Sequence, residues 1–152
     1  MPTRPASPAV EFIIVRHAEK RSDILRDPSL TDAGLARAQR LATSLASTPL
    51  AAAYASAYRR TQQTAASAAA EHGLAVTTYD ANQDASELAT VLKQRHATGT
   101  VLVVGHSNTV PAIAAALCGC VVAPIGEDEY DRRLQVRVDA SGKATLTDTH
   151  TP

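Results

Sequence analysis

A small set of side chains in this sequence could together hold and attack a phosphate group. Arg16 and His17 are adjacent, Arg59 and Arg60 form a second basic pair, and His106 follows Gly105 far along the chain. Guanidinium groups match phosphate oxygens with two parallel hydrogen bonds. An imidazole beside them can act as a nucleophile. Ser107 and Asn108 come directly after His106, where a helix start would add backbone N–H donors. One histidine at a strand end is ordinary, as is an arginine pair on a helix face. Two histidines at equivalent strand ends, one beside an arginine, ask for a chemical reason. No carboxylate cluster with metal-ligand spacing accompanies them, so the expected pocket uses no metal and no cofactor.

The surrounding pattern says how these residues would meet. Ile13-Ile14-Val15 leads into Arg16-His17, and Val101-Leu102-Val103-Val104 leads into Gly105-His106. Short runs of this type read as buried strands. Strands alternating with helices imply βαβ units and a mostly parallel sheet, which binds ligands at the carboxyl edge of its strands. The spacing predicts a strand over 10–15 and a helix capped by Thr31, with Leu35, Ala38, Leu41 and Leu45 as its apolar stripe. A strand over 50–55, a helix over 59–71 stopping at Gly73, and a strand over 74–79 follow. Asp84 and Glu87 resemble a capping box before Leu88, Val91 and Leu92. A strand over 100–104 and a helix from about Asn108 to Leu117 come next. Arg133–Val138 and Lys143–Asp148 predict a hairpin around Ser141-Gly142. The expected fold is therefore α/β. It is a single three-layer α/β/α domain over 10–150, with a mostly parallel central sheet and a C-terminal antiparallel edge hairpin. A flexible tail over 1–9, with Pro2, Pro5 and Pro8, would precede it.

With its motifs in order, the sequence resembles the histidine phosphatase superfamily, the phosphoglycerate mutase-like enzymes of branch 1. Arg16-His17-Ala18-Glu19 is similar to the family's first signature. Ser56-x-x-x-Arg60-x-x-x-Thr64 is similar to its second, and Gly105-His106-Ser107-Asn108 to its third. The register from Ser56 and Thr64 places the family arginine on Arg60 and leaves Arg59 as a rim residue. The length is similar to that of the short phosphohistidine phosphatases of the superfamily. The resemblance implies a metal-independent phosphatase in which His17 forms a phosphohistidine intermediate. Arg16, Arg60 and His106 would hold the phosphoryl oxygens, with Ser107 and Asn108 beside them.

An alkoxide leaving group needs a proton from a general acid. Many members of the family supply a Glu after the second-motif helix, and this sequence departs from that pattern. Asp80 is the positional candidate. Asp84 and Glu87 suit helix capping, and the acidic loop Glu127-Asp128-Glu129 could fold over the pocket or lie in solvent. A pocket without a strong acid suits an easily expelled leaving group, so phosphohistidine in proteins is the leading substrate expectation. A broad small-molecule phosphomonoesterase is the alternative. A non-catalytic phosphate- or phosphoprotein-binding module is a third, disfavoured by the complete set of Arg16, His17, Arg60 and His106.

Composition limits the remaining classes. A chain of 152 residues with zero formal net charge lacks the basic excess of a broad nucleic-acid or anionic-membrane surface. No apolar stretch approaches the ~20 residues of a membrane span. The default expectation is cytoplasmic, with a removed leader left open. The core must be built from Ala, Val, Leu and Ile, because there is one Phe and no Trp. Cys118 and Cys120 read as small buried residues near a helix end rather than a disulfide framework or zinc site. His72, His96 and His150 read as local caps or solvated groups, with His150 in a tail. Oligomeric state is not encoded in any of these patterns.

Overall fold

The computed structural model describes residues 9–23 and 26–150. Among them the chain order is β1 (Ala9–Arg16), α1 (Asp32–Ser44), β2 (Leu50–Ser56), α2 (Arg59–Glu71) and β3 (Val76–Tyr79). Then come α3 (Ala85–Arg95), β4 (Gly99–Gly105), α4 (Val110–Cys118), β5 (Arg132–Asp139) and β6 (Ala144–His150). One sheet runs β3-β2-β4-β1-β5-β6. The first four strands in that row are mutually parallel, while β5 is antiparallel to β1 and β6 antiparallel to β5. This is the α/β architecture with an edge hairpin that the periodicity predicts.

Alternation along β1 creates two cores, because successive strand side chains point to opposite faces. Val10, Phe12 and Ile14 pack with Leu88 and Leu92 of α3 and Ile113 and Leu117 of α4. Ile13 and Val15 pack with Leu41 of α1 and Ala65, Ala68 and Ala69 of α2. Burying a side chain the size of Phe12 or Ile14 contributes about 1.5–3 kcal/mol, and both are fully buried here. The small alanines of α2 let that helix sit close on the sheet, which brings its first turn to the strand ends.

Local chemistry sets the element ends. Thr31 Oγ1 accepts from the Gly34 amide at 3.0 Å and caps α1. Gly34 itself is pressed against β1's exit, since a Cβ there would lie 2.2 Å from the Glu19 carbonyl oxygen. That contact explains one departure from the predicted stripe. Gly34 takes a buried position, while Leu35 turns outward and is 47% exposed. Asp84 caps α3 by accepting from the Ser86 amide. The Asp27-Pro28 turn places Asp27 at φ 48° and lets its carboxylate accept from the Arg59 amide at 2.8 Å, capping α2 from outside.

Three expectations change. Cys118 is half-buried and Cys120 exposed, and the two are joined in a disulfide. The left-handed Gly119 (φ 62°) that ends α4 turns the chain back and leaves their Cα atoms 5.2 Å apart, within disulfide reach. His150 is not in a tail but ends β6, with Nδ1 3.2 Å from Asp131 Oδ2. Ala9, expected in the tail, begins β1, and residues 1–8 of that tail lie outside the described residues. Among the described residues no helix is long and apolar enough to cross a membrane.

Candidate active site

Strand register brings the three motifs to one edge. Arg16 pairs with Gly105 across β1 and β4, and the His17 amide donates to the Gly105 carbonyl at 2.9 Å. β4 lies between β1 and β2, and β2 ends at Ser56. His17, His106 and Ser56 therefore emerge side by side. The two imidazole centroids are 5.5 Å apart. Gly105 is needed at this crossing, because a Cβ there would lie 2.8 Å from the Tyr79 hydroxyl and 2.9 Å from Thr109 Oγ1.

His17 is held in one tautomer. Its Nδ1 lies 2.7 Å from the Ala18 carbonyl oxygen, which can only accept, so Nδ1 carries the proton and Nε2 keeps its lone pair. The turn that makes this contact is fixed by the second motif. The Ala18 amide donates to Thr64 Oγ1 at 2.9 Å, and the Thr64 hydroxyl donates to the Arg60 carbonyl. Burial pushes the His17 pKa down to about 3. The Ala18 bond opposes that shift, and Arg16, Arg60 and His106 add to it. The ring is thus a neutral base facing cationic neighbours.

His106 is oriented through a chain of hydroxyls. The Thr61 hydroxyl donates to the carbonyl oxygens of Ser56 and Tyr58, each at 2.9 Å. Its proton so engaged, Thr61 Oγ1 accepts from Ser56 Oγ at 2.7 Å. Ser56 Oγ then accepts from His106 Nε2 at 2.9 Å. Nε2 therefore carries a proton, and Nδ1 is the nitrogen left to change state. Burial, then Arg60 and Arg16, lower the His106 pKa to about 4.

Arg16 is buried and Arg60 half-buried. Arg16 Nη1 reaches the carbonyl oxygens of Glu127 at 2.6 Å and Glu129 at 3.0 Å. The Tyr130 ring covers the Arg16 guanidinium at 4.1 Å, and Tyr58 covers that of Arg60 at 4.6 Å. Arg16 Nε and Arg60 Nε are buried with no hydrogen-bond partner among the described residues. An unmade bond at a buried donor costs about 1–3 kcal/mol. Two such donors beside two neutral imidazoles fit an anion with several acceptor oxygens.

The structure gathers Arg16, His17, Arg60, His106, Ser107 and Asn108 around one cleft of about 520 Å³. It does not bring Asp80 there. Asp80 is exposed, and its carboxylate accepts from the Asn82 amide at 2.9 Å, closing a tight turn. The residues after it, Ala81 and Asn82, reach the cleft instead, as do Glu127 and Asp128. Arg59 is also outside, 69% exposed and 3.7 Å from Asp27. Lys20, Tyr58 and Tyr130 line the cleft without having been singled out by sequence. Tyr58 had a usable signal, lying two residues before Arg60 within the second motif. Tyr130 had none, because its position depends on how the 126–131 turn folds back over β1.

Residues 12–85, which include His17 and Arg60, match the sequence model of the histidine phosphatase superfamily (branch 1). A search of curated proteins finds no match to this sequence. Solved structures share the fold at low identity. The protein histidine phosphatase SixA complexed with tungstate superposes with a TM-score of 0.73 at 20% identity, covering 93% of this chain and 97% of that one. The mycobacterial glucosyl-3-phosphoglycerate phosphatase gives 0.76 at 15%, covering 95% and 100%. Phosphoserine phosphatase from Entamoeba histolytica gives 0.71 at 15%, covering 94% and 97%. Residues 12–85 are thus similar to the histidine phosphatase superfamily (branch 1), and the chain shares its fold with these three phosphatases.

Proposed function

We propose that the domain over 10–150 is a metal-independent phosphatase that works through a phosphohistidine on His17 and acts on phosphohistidine in proteins. The observation that carries this reading is the His17–Ala18 bond, which leaves Nε2 unprotonated at an edge shared with two arginines. Nε2 attacks phosphorus in line, forming a P–N bond as the bond to the leaving group breaks. Water then attacks the phosphohistidine, releasing inorganic phosphate and restoring the lone pair. Arg16, Arg60 and His106 stabilise the equatorial oxygens as charge builds on them. A bound phosphate dianion favours a proton on His106 Nδ1, which makes that ring a second donor.

The preference for a phosphoramidate rests on the acids at hand. An imidazole leaves from phosphorus readily once its other nitrogen is protonated, whereas an alkoxide must be protonated as it departs. Asp80 stands outside the cleft, and the two acidic residues that line it, Glu127 and Asp128, are exposed to solvent. The likeness in fold to SixA agrees with this preference. The likeness to enzymes named for phosphoserine and glucosyl-3-phosphoglycerate supports the small-molecule alternative.

Initial rates on a phosphohistidine peptide and on an alkyl phosphate monoester separate the two. General acid catalysis is worth about 10²–10⁴ in rate, so without it kcat/KM for the peptide should exceed that for the ester by at least about 100-fold. Comparable values would favour the monoesterase. No turnover of either, with phosphate still bound, would leave a binding module.

A further inference from the structure

The turn that roofs the cleft is braced from both sides. On the inner side Arg16 Nη1 grips the Glu127 and Glu129 carbonyls. Within the turn, the Glu129 amide donates to the Gly126 carbonyl at 3.0 Å, and the Gly126 amide donates to Glu129 Oε1 at 3.1 Å. On the outer side, Arg132 lies 3.6 Å from the same Glu129 oxygen and is itself paired with Asp148 at 2.9 Å. Glu129 is thus engaged in holding the turn. Glu127 and Asp128 remain exposed at its tip, and both line the cleft.

These two carboxylates have an odd setting for a phosphatase, since they repel the group it must bind. Their field acts on whatever extends from the phosphorus toward the opening, once Arg16 and Arg60 have neutralised the phosphoryl oxygens. Lys20 is the remaining cation lining the cleft among the described residues, so the mouth carries two negative charges against one positive.

We propose that Glu127 and Asp128 are specificity determinants that select phosphorylated substrates whose leaving group carries positive charge and reject those carrying a carboxylate or second phosphate. The proposal rests on the phosphatase reading above. The cationic leaving group is either a phosphohistidine flanked by Lys or Arg or a small molecule bearing an ammonium. The attraction is a rim effect, so it decays as salt shortens the screening length.

Two substrate pairs test it. One is a phosphohistidine peptide with Lys or with Glu on both sides. The other is an aryl phosphate carrying a trimethylammonium or a carboxylate at the same ring position. For each pair the cation-to-anion quotient of kcat/KM is measured in the wild type and in the double variant E127Q/D128N. Intrinsic reactivity and any general loss of activity cancel when the two quotients are compared. The wild-type quotient should exceed the variant's by about tenfold at low salt and approach it at about 1 M salt, where the screening length is ~3 Å. The effect in the peptide pair alone assigns a protein substrate, and in the aryl pair also a small molecule. Equal quotients in both pairs overturn the proposal. No turnover of any substrate by the wild type overturns the phosphatase reading first, and the proposal with it.

Discussion

The His17 and His106 rings meet edge to face, at an interplanar angle of 64°, and are fixed in opposite tautomers. His17 is protonated on Nδ1 by its bond to the Ala18 carbonyl, and His106 on Nε2 by its bond to Ser56. One ring thereby offers a lone pair at Nε2, while the other can gain a proton at Nδ1. In the proposed mechanism this arrangement would separate attack from charge stabilisation, although the two residues are chemically identical.

Both rings are buried neutral, which fixes how acid acts on the fold. An unfolded histidine takes up a proton near pH 6.5, whereas His17 does so near 3 and His106 near 4. Between those values the unfolded chain binds more protons, so stability falls as pH drops below 6.5 and is unaffected by these groups above it. At pH 5 the two together cost on the order of 4 kcal/mol. Urea midpoints at about pH 7.5 and pH 5 should therefore fall further for the wild type than for H17Q/H106Q. Equal losses would mean that the rings titrate normally.

Ser56→Ala should uncouple His106 from its hydroxyl chain. Ser56 is fully buried, and its loss leaves His106 Nε2 and Thr61 Oγ1 without their present bond. An unsatisfied buried group costs about 1–3 kcal/mol. We expect kcat/KM to fall about tenfold, with the pH dependence attributed to His106 shifted. An unchanged pH profile would remove the tautomer argument.

The two adjacent arginines should respond very differently. Arg60→Ala removes a guanidinium from the cleft and should lower kcat by about 10²–10³, the usual loss for a transition-state donor. Arg59→Ala removes an exposed partner of Asp27 and should cost less than about 1 kcal/mol of stability, with kcat within about twofold. Parallel kinetics on both variants check the register of the second motif.

The parallel sheet, the strand ends and the cleft arginines and histidines were legible because each is written in a local pattern. A β-branched run stops at Arg16-His17, and another stops at Gly105-His106. α2 begins at Arg59 and ends at Glu71, as its spacing predicts. What escaped depends on tertiary contacts. Leu35 fits the helical stripe, yet Gly34 must face the Glu19 backbone and rotates it outward. The Cys118–Cys120 bond depends on the left-handed turn at Gly119. Tyr130, Glu127 and Asp128 line the cleft because Arg16 holds the backbone of their turn.

Asp80 shows the same limit and yields a prediction. Its sequence position after β3 suits an acid, but a strand end can point its last residue away from a neighbouring cleft. Asp80→Asn keeps an oxygen able to accept from the Asn82 amide. Turnover of an alkyl phosphate by this variant should stay within about twofold of the wild type. A loss of the ~10²-fold or more expected for a general acid would return Asp80 to the site.

The central claim is that His17 carries the phosphoryl group. The protein is mixed with a labelled activated phosphate donor and quenched rapidly in alkali, in which phosphohistidine persists, and the label is located by mass spectrometry. The account predicts label on His17, lost in His17→Ala and formed fast enough to support turnover. Phosphate release without label on His17, or undiminished release by His17→Ala, would contradict it.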